Sequence, residues 1–437
     1  MKRTVSALAC VIVLAAVGSV AWARDLPTAQ QPEEVGLSAE RLERIGQVFQ
    51  QEIEEGRLPG AVVLVARRGQ VAYSEAFGSR DEADGEPMAE DAVFRIYSMT
   101  KPLVSVAAMI LMEEGRLQLT DPVSKFLPEF KDLQVSVPKT DAYGKVSYGL
   151  VPAEREMTVH DLLRHTAGLA YGELTANATV KDTYAEVGVF KPDGLPFEAR
   201  DVPPEEQVRG LAQAPLIHQP GTVWEYSLAS DVLGRVVEAA SGMRLGDFLE
   251  QRLFGPLEMV DTGFAVPEAE MARLAEPLAT DPATGSPNRL IDVSAPPAND
   301  SGGAGAVSTA ADYLRFTQML LNGGELDGVR ILSPTTVRLM ASDHLGDRIE
   351  APVTPGELLI GTPGYTFGLG FAVRKEPGIA AVPGSEGEYM WAGYAGTYFW
   401  IDPEEELTAV LMTQAPGPSR PYYRRLIKQL VYQAIVD

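Results

Sequence analysis

The sequence predicts an α+β fold in which both ends of the chain build one antiparallel sheet, flanked by helices, around an inserted, mainly helical domain. Three observations carry this expectation. Strand-like apolar runs occur near the start, at 61–73, and return near the end, at 365–413; between them apolar residues recur at helical spacing; and no internal repeat divides the 437 residues. Strands at both ends with helices between them close into one sheet, and a cleft is expected where the two parts meet. The expected boundaries are 24–97 with 360–437 for the sheet domain, and 98–359 for the helical domain with lid-like loops.

The chain opens on Met1, Lys2 and Arg3, runs through an apolar stretch from Val5 to Val20 and reaches Ala21-Trp22-Ala23, a small-x-small cleavage pattern. Residues 1–23 are therefore expected to be a secretory signal peptide, and the protein periplasmic or secreted. The apolar stretch is shorter than the roughly 20 residues a spanning helix needs, so no stable membrane insertion is expected after cleavage. Cys10, the one cysteine, leaves with this segment. The remaining chain then has no disulfide and is held by its core alone. Lys2 and Arg3 are the only charges removed, so the net charge moves from −23 to about −25. Such acidity argues against nucleic acid as a partner and for a soluble, self-repelling surface.

Ser38 precedes Leu42, Ile45, Val48, Phe49 and Ile53 on one face, stopping near Gly56, the pattern of a capped amphipathic helix. The run 61–66, then Arg67-Arg68-Gly69, then Val71-Ala72-Tyr73, reads as a β-hairpin. From Leu103 to Met112 the chain is almost wholly apolar, as in a helix buried on all sides. The stretches 129–157 and 170–215 are rich in Pro, Gly, Asp and Lys and read as long loops or a lid. Helical spacing returns between 225 and 345. Strand character follows at 365–373, 397–401 and 407–413, and a last helix at about 422–435.

Ser98-Met99-Thr100-Lys101 sets a hydroxyl and an amine three residues apart at the start of the buried helix, so both project from one face. Serine is a poor nucleophile until a base takes its proton. Lysine can be that base only when part of it is neutral, and burial favours the neutral form. The plain structural reading of Ser98 is a helix N-cap. A second S-x-x-K, Ser136 to Lys139, lies in an irregular stretch with no helix behind it.

Pro220-Gly221 makes a turn that leads to Tyr226 and Ser227, just ahead of a helix at 232–240. The phenol of Tyr226 could relay protons between Ser98, Lys101 and a leaving group, or simply pack beneath the loop. Trp391-Ala392-Gly393-Tyr394 stands at the edge of a C-terminal strand, where glycine lets a substrate approach the backbone. Backbone N–H groups there, with that of Ser98, could form an oxyanion hole; a bulged edge strand is the structural alternative.

These three elements, in this order and layout, resemble the serine β-lactamase and penicillin-binding-protein superfamily, with a β-lactamase/transpeptidase-like fold. Within it the chain is most similar to family VIII carboxylesterases, the class C β-lactamase-like esterases. Subsidiary stretches extend the likeness over most of the chain: 158–169, Phe254-Gly255-Pro256-Leu257 and Phe367-Gly368-Leu369-Gly370-Phe371. The resemblance implies that Ser98 carries the acyl group and that Lys101 and Tyr226 share the proton work. It also implies that Trp391, Gly393, Tyr394 and Leu228 meet the substrate.

Two departures bear on that substrate. β-Lactamases usually begin the third motif with Lys or His and place Asn two residues after the motif tyrosine; here Trp391 and Leu228 stand there. Losing both polar anchors disfavours an anionic β-lactam or a D-Ala terminus and suits a neutral, short-chain ester. The expected activity is thus ester hydrolysis on a small-molecule substrate, with acyl transfer to other alcohols as an extension and no cofactor or metal. A β-lactamase or D-Ala carboxypeptidase, and a non-catalytic binding protein on the same scaffold, are the alternatives. An α/β-hydrolase would need a G-x-S-x-G elbow, which the sequence lacks. His160 and His165 are five apart, which is not a helical metal-ligand spacing.

Overall fold

The computed structural model describes residues 26–83 and 85–437; the expected signal peptide and Cys10 lie outside the described residues. Ser38 caps helix α1 (Ala39–Glu54) by accepting from the Arg41 N–H, and Leu42, Ile45 and Phe49 form its buried face. Strands β1 (Gly60–Arg67) and β2 (Gln70–Asp81) form a hairpin that turns at Arg68 and Gly69, both with positive φ, the geometry of a tight two-residue turn. Strand β3 (Glu86–Pro87) ends this edge. Helix α2 (Thr100–Glu113) is buried from Thr100 through Leu111, which is why its sequence shows no polar face.

The stretches expected to be irregular are partly ordered. Strands β4 (Gln134–Thr140) and β5 (Val146–Pro152) form a hairpin within 129–157. Helices at Ala178–Glu186 and Pro204–Gln213 occupy much of 170–215. The hairpin carries Pro138, Gly149 and Pro152 and is largely exposed, so no alternating apolar pattern marks it. Asn177 caps the first of the two helices and also bonds Ser136. Ser136 and Lys139, three apart on a strand, point to opposite faces and cannot act as a pair.

Helix α3 (Ala229–Ser241) packs on α2. The chain then returns through β6 (Tyr365–Phe367), β7 (Ala372–Arg374), β8 (Tyr389–Ala392), β9 (Tyr398–Asp402), β10 (Leu407–Thr413) and helix α4 (Arg420–Tyr432). The run 365–373, expected as one strand, is two, split at Gly368–Gly370. Gly370 has φ 93, and a Cβ there would stand 2.3 Å from Ser105 Oγ of α2.

The eight-stranded sheet runs β6-β7-β8-β9-β10-β1-β2-β3. Its centre joins the two ends of the fold, with β1 antiparallel to β10 and Ala61 opposite Thr413. Successive strand residues point to opposite faces. Phe399 meets Tyr313 of the helix Ala310–Leu321, whereas Trp400 meets Tyr432 of α4, so helices cover both sides. β1 is buried along its whole length, which accounts for its unbroken apolar run.

Candidate active site

The site is assembled where α2 enters the core. Ser98 sits in the 3₁₀ turn Tyr97–Met99 that leads into α2, whose N-cap position falls to Met99 without a side-chain bond. Ser98 is therefore not spent as a cap. Its Oγ accepts from the Tyr226 phenol at 2.5 Å and lies 3.2 Å from Lys101 Nζ. Tyr97, just before it, has φ 44, a conformation that a bulky residue keeps only when its surroundings hold it. Here the Ile291 N–H donates to the Tyr97 hydroxyl at 2.9 Å, and the Tyr394 ring packs edge-on at 5.3 Å.

Lys101 is 1% exposed and has no carboxylate among its hydrogen-bond partners. Nζ reaches Ser98 Oγ, Tyr171 Oη at 3.0 Å and the Gly303 carbonyl at 2.7 Å. Burial pushes its pKa down to about 7, against the opposing pull of Asp231. A neutral amine has two N–H groups and one lone pair. The carbonyl can only accept and Tyr171 can accept, which leaves the lone pair for the Ser98 hydroxyl hydrogen. Gly303 is held in turn by Asp231, which accepts its N–H at 3.2 Å and the Ser301 hydroxyl at 2.6 Å. A Cβ on Gly303 would stand 2.2 Å from Asp231 Oδ2, so only glycine fits there.

The Pro220-Gly221 turn and a bond from the Glu225 N–H to the His165 carbonyl bring Tyr226 over the cleft. Its ring lies 5.2 Å from Tyr171 and 5.6 Å from Trp391, and Lys101 Nζ stands 4.6 Å from its centroid. Burial raises the phenol pKa above its ordinary value; the Ser98 bond opposes this and Asp231 reinforces it. Tyr226 is thus a proton donor at neutral pH, whereas Lys101 has a free lone pair for part of the time.

His165 is enclosed by Trp224, Tyr226 and Phe367, with Nδ1 3.3 Å from Ser227 Oγ. Burial and the neighbouring Lys101 keep its pKa well below the usual imidazole range. It packs the wall behind Tyr226 as a neutral ring. Asp161 fixes the segment that carries it, accepting from Arg155, Arg164, Thr158 and Thr166.

In the third motif, Trp391 is fully buried, its ring against Tyr226 and, at 5.3 Å, Phe367. It backs the phenol from behind instead of facing open space. Leu228 is also buried; it occupies the N-cap position of α3, and its N–H donates to the Ala170 carbonyl. A Cβ on Gly393 would stand 2.4 Å from the Ile96 carbonyl, so the glycine is demanded by the chain leading to Ser98. Its N–H donates to Thr397 and its carbonyl accepts from Arg424 of α4 at 2.7 Å. Tyr394 is half-buried beneath the Arg420 guanidinium, which lies 4.8 Å from its ring centroid.

Ser98 thus meets Lys101 and Tyr226 within hydrogen-bond reach, while Trp391 packs against the Tyr226 ring and Leu228 is buried at the start of α3. Tyr171, Asp231, Gly303 and Arg424 belong to the same constellation without any motif announcing them; the small-residue run Ser301-Gly302-Gly303 is the one local hint of close approach. Among the described residues, no group of three or more His, Cys, Asp or Glu side chains is placed to hold a metal ion. None of their helices is long and apolar enough to cross a membrane.

An antiparallel sheet closed by both chain ends, with a buried serine–lysine pair at its helical boundary, defines a serine acyl-enzyme scaffold. The chain belongs to the β-lactamase family, whose sequence model matches residues 45–432. It is 34% identical over 407 residues to esterase EstB of Burkholderia gladioli, covering 89% of this chain and 93% of that one. Protein Rv1367c of Mycobacterium tuberculosis is 37% identical over 373 residues, with 83% and 87% covered. Among solved structures, EstCE1, described as a hydrolase with promiscuous acyltransferase activity, matches with a TM-score of 0.72 and 31% identity, covering 90% of this chain and 99% of that one.

Proposed function

We propose that the protein is a serine hydrolase that cleaves short-chain carboxylic esters through an acyl-Ser98 intermediate, with acyl transfer to alcohols as a second outcome. It acts in the periplasm or outside the cell once residues 1–23 are removed. The observation that carries this reading is the Ser98 hydroxyl held between a partly neutral lysine at 3.2 Å and a protonated phenol at 2.5 Å. EstB and EstCE1, by their names, support the choice of ester over amide.

In this reading Lys101 takes the Ser98 proton as Oγ attacks the ester carbonyl. The amides of Ser98 and Tyr394 stabilise the oxyanion, since the Gly393 amide is already bonded to Thr397. As the C–O bond breaks, Tyr226 gives its proton to the departing alkoxide and regains one from Lys101. Water or a second alcohol then attacks the acyl group, the same groups move the proton back, and Ser98 is released. Tyr226→Phe keeps the ring against Trp391 and removes only this proton; kcat is expected to fall about 10²- to 10⁴-fold with unchanged thermal melting.

Residues 24–437, assayed with p-nitrophenyl butyrate and with a chromogenic cephalosporin, provide the direct test. Ester turnover well above cephalosporin turnover is expected, because Trp391 and Leu228 stand where β-lactamases carry polar anchors. Dominant cephalosporin cleavage would instead make the protein a β-lactamase, and turnover of neither would return it to the binding-protein alternative.

A further inference from the structure

The turn of the third motif is held by two cations of α4. Arg424 donates from Nη2 to the Gly393 carbonyl at 2.7 Å and from Nη1 to the Leu359 carbonyl at 2.8 Å. Arg420, one helical turn earlier, donates to the carbonyls of Tyr394 at 3.1 Å and Gly417 at 2.9 Å. Neither guanidinium has a carboxylate among these partners, although the chain carries 60 acids against 37 lysines and arginines. Arg424 is 4% exposed, and its Nε has no partner. Burial and the neighbouring Arg420 lower its pKa to about 9, so it stays charged at neutral pH. A buried cation without a counter-ion costs stability, and a tie between helix and sheet alone needs no charge.

The Gly393 carbonyl, which also accepts from the Gly396 N–H at 3.2 Å, and the Tyr394 N–H belong to one peptide group. In a trans peptide these two bonds share a plane and point in opposite directions, so a carbonyl fixed on Arg424 aims the N–H away from α4. The Tyr394 N–H has no protein partner among the described residues. The turn also abuts the chain that leads to Ser98: Thr397 Oγ1 donates to the Ile96 carbonyl at 3.4 Å, and a Cβ on Gly393 would stand 2.4 Å from that same oxygen. A charged donor on the carbonyl draws electrons from the amide nitrogen and makes its N–H a stronger donor. The field of Arg424 is felt in the site, since burial raises the Tyr226 phenol pKa and Arg424 is among the groups that oppose the rise.

We propose that Arg424 is a positioning residue for the oxyanion hole: through the Gly393 carbonyl it aims the Tyr394 N–H and strengthens it as a donor to the developing oxyanion. The inference rests on the ester-hydrolase reading above, in which the amides of Tyr394 and Ser98 receive that charge. The guanidinium itself touches no substrate. It acts through one peptide group, and only when charge builds on the carbonyl oxygen.

The test compares p-nitrophenyl butyrate with its thiono analogue, in which sulfur replaces the carbonyl oxygen, in the wild-type protein, Arg424→Gln and Arg424→Met. Sulfur is a weak hydrogen-bond acceptor, so the thiono substrate gains little from a well-aimed amide, and the wild type is expected to favour the oxygen ester. Within one variant the ratio of the two kcat/KM values is independent of the fraction folded, so partial misfolding cannot imitate the effect. In Arg424→Met, kcat/KM for the oxygen ester is expected to fall about 10- to 100-fold, less than for deleting an oxyanion donor outright, and the oxygen-to-sulfur ratio at least about fivefold. Arg424→Gln keeps an N–H donor without the charge; its ratio is expected between the two, and it decides the matter if the methionine variant does not fold. A wild-type ratio in the variants, with both substrates slowed alike, makes Arg424 a structural tie and overturns the inference while wild-type ester turnover stands. Wild-type protein without Ser98-dependent ester turnover would overturn the ester-hydrolase reading as well.

Discussion

Ser98→Ala is expected to lower kcat for p-nitrophenyl butyrate by at least about 10⁴-fold, the scale seen when a nucleophile is removed from a serine hydrolase, with the thermal midpoint unchanged. The structure explains why the second half should hold. Ser98 contributes no cap to α2, and its Oγ bonds only Lys101 and Tyr226. Nothing in the core rests on that hydroxyl. Activity surviving in a variant with wild-type melting would put the nucleophile elsewhere.

Lys101→Met tests the other half of the pair and carries a distinctive pH signature. Methionine fills a similar buried volume without the amine, and turnover is expected to drop by about 10³-fold or more, since base and nucleophile act as one unit. In the wild type, the protonated amine has no lone pair for Ser98, so kcat/KM should rise with pH and level off above about 7. Stability follows the same group with a definite sign. Its folded pKa of about 7 lies below the ordinary 10.5, so between those values the unfolded chain binds more protons than the folded one. Wild-type stability should therefore gain from this group as pH rises from about 7 towards 10.5. Lys101→Met should lose both the acid limb of the rate profile and that part of the stability rise. An acid limb centred well below pH 6, or one that survives in the methionine variant, would point to another titrating group.

Ser98 and Lys101 were legible because a helix places residues three apart on one face, and the apolar run behind them announced burial. Tyr226 was legible as a turn followed by a helix. Tyr171, Asp231 and Gly303, which complete the lysine's surroundings, come from distant parts of the chain, and no local spacing links them to Ser98. Motif position identifies Trp391, but not the direction of its ring. On a sheet covered on both faces, alternation does not tell the cleft from the core. The β4–β5 hairpin is not legible, because its prolines, glycine and lysine resemble a loop and its strands are exposed on most of their length.

The pairing of Ala61 with Thr413 imposes an order of events on a chain that emerges from one end. A nascent or translocating polypeptide that has displayed everything through Trp400 still has β1 with one bare edge, which is a template for wrong partners. The turn at Gly393 also lacks Arg424, its clamp from α4. Sheet and chemistry are therefore completed together, by the last segment to arrive. A protease that clips this tail would silence the enzyme without touching Ser98.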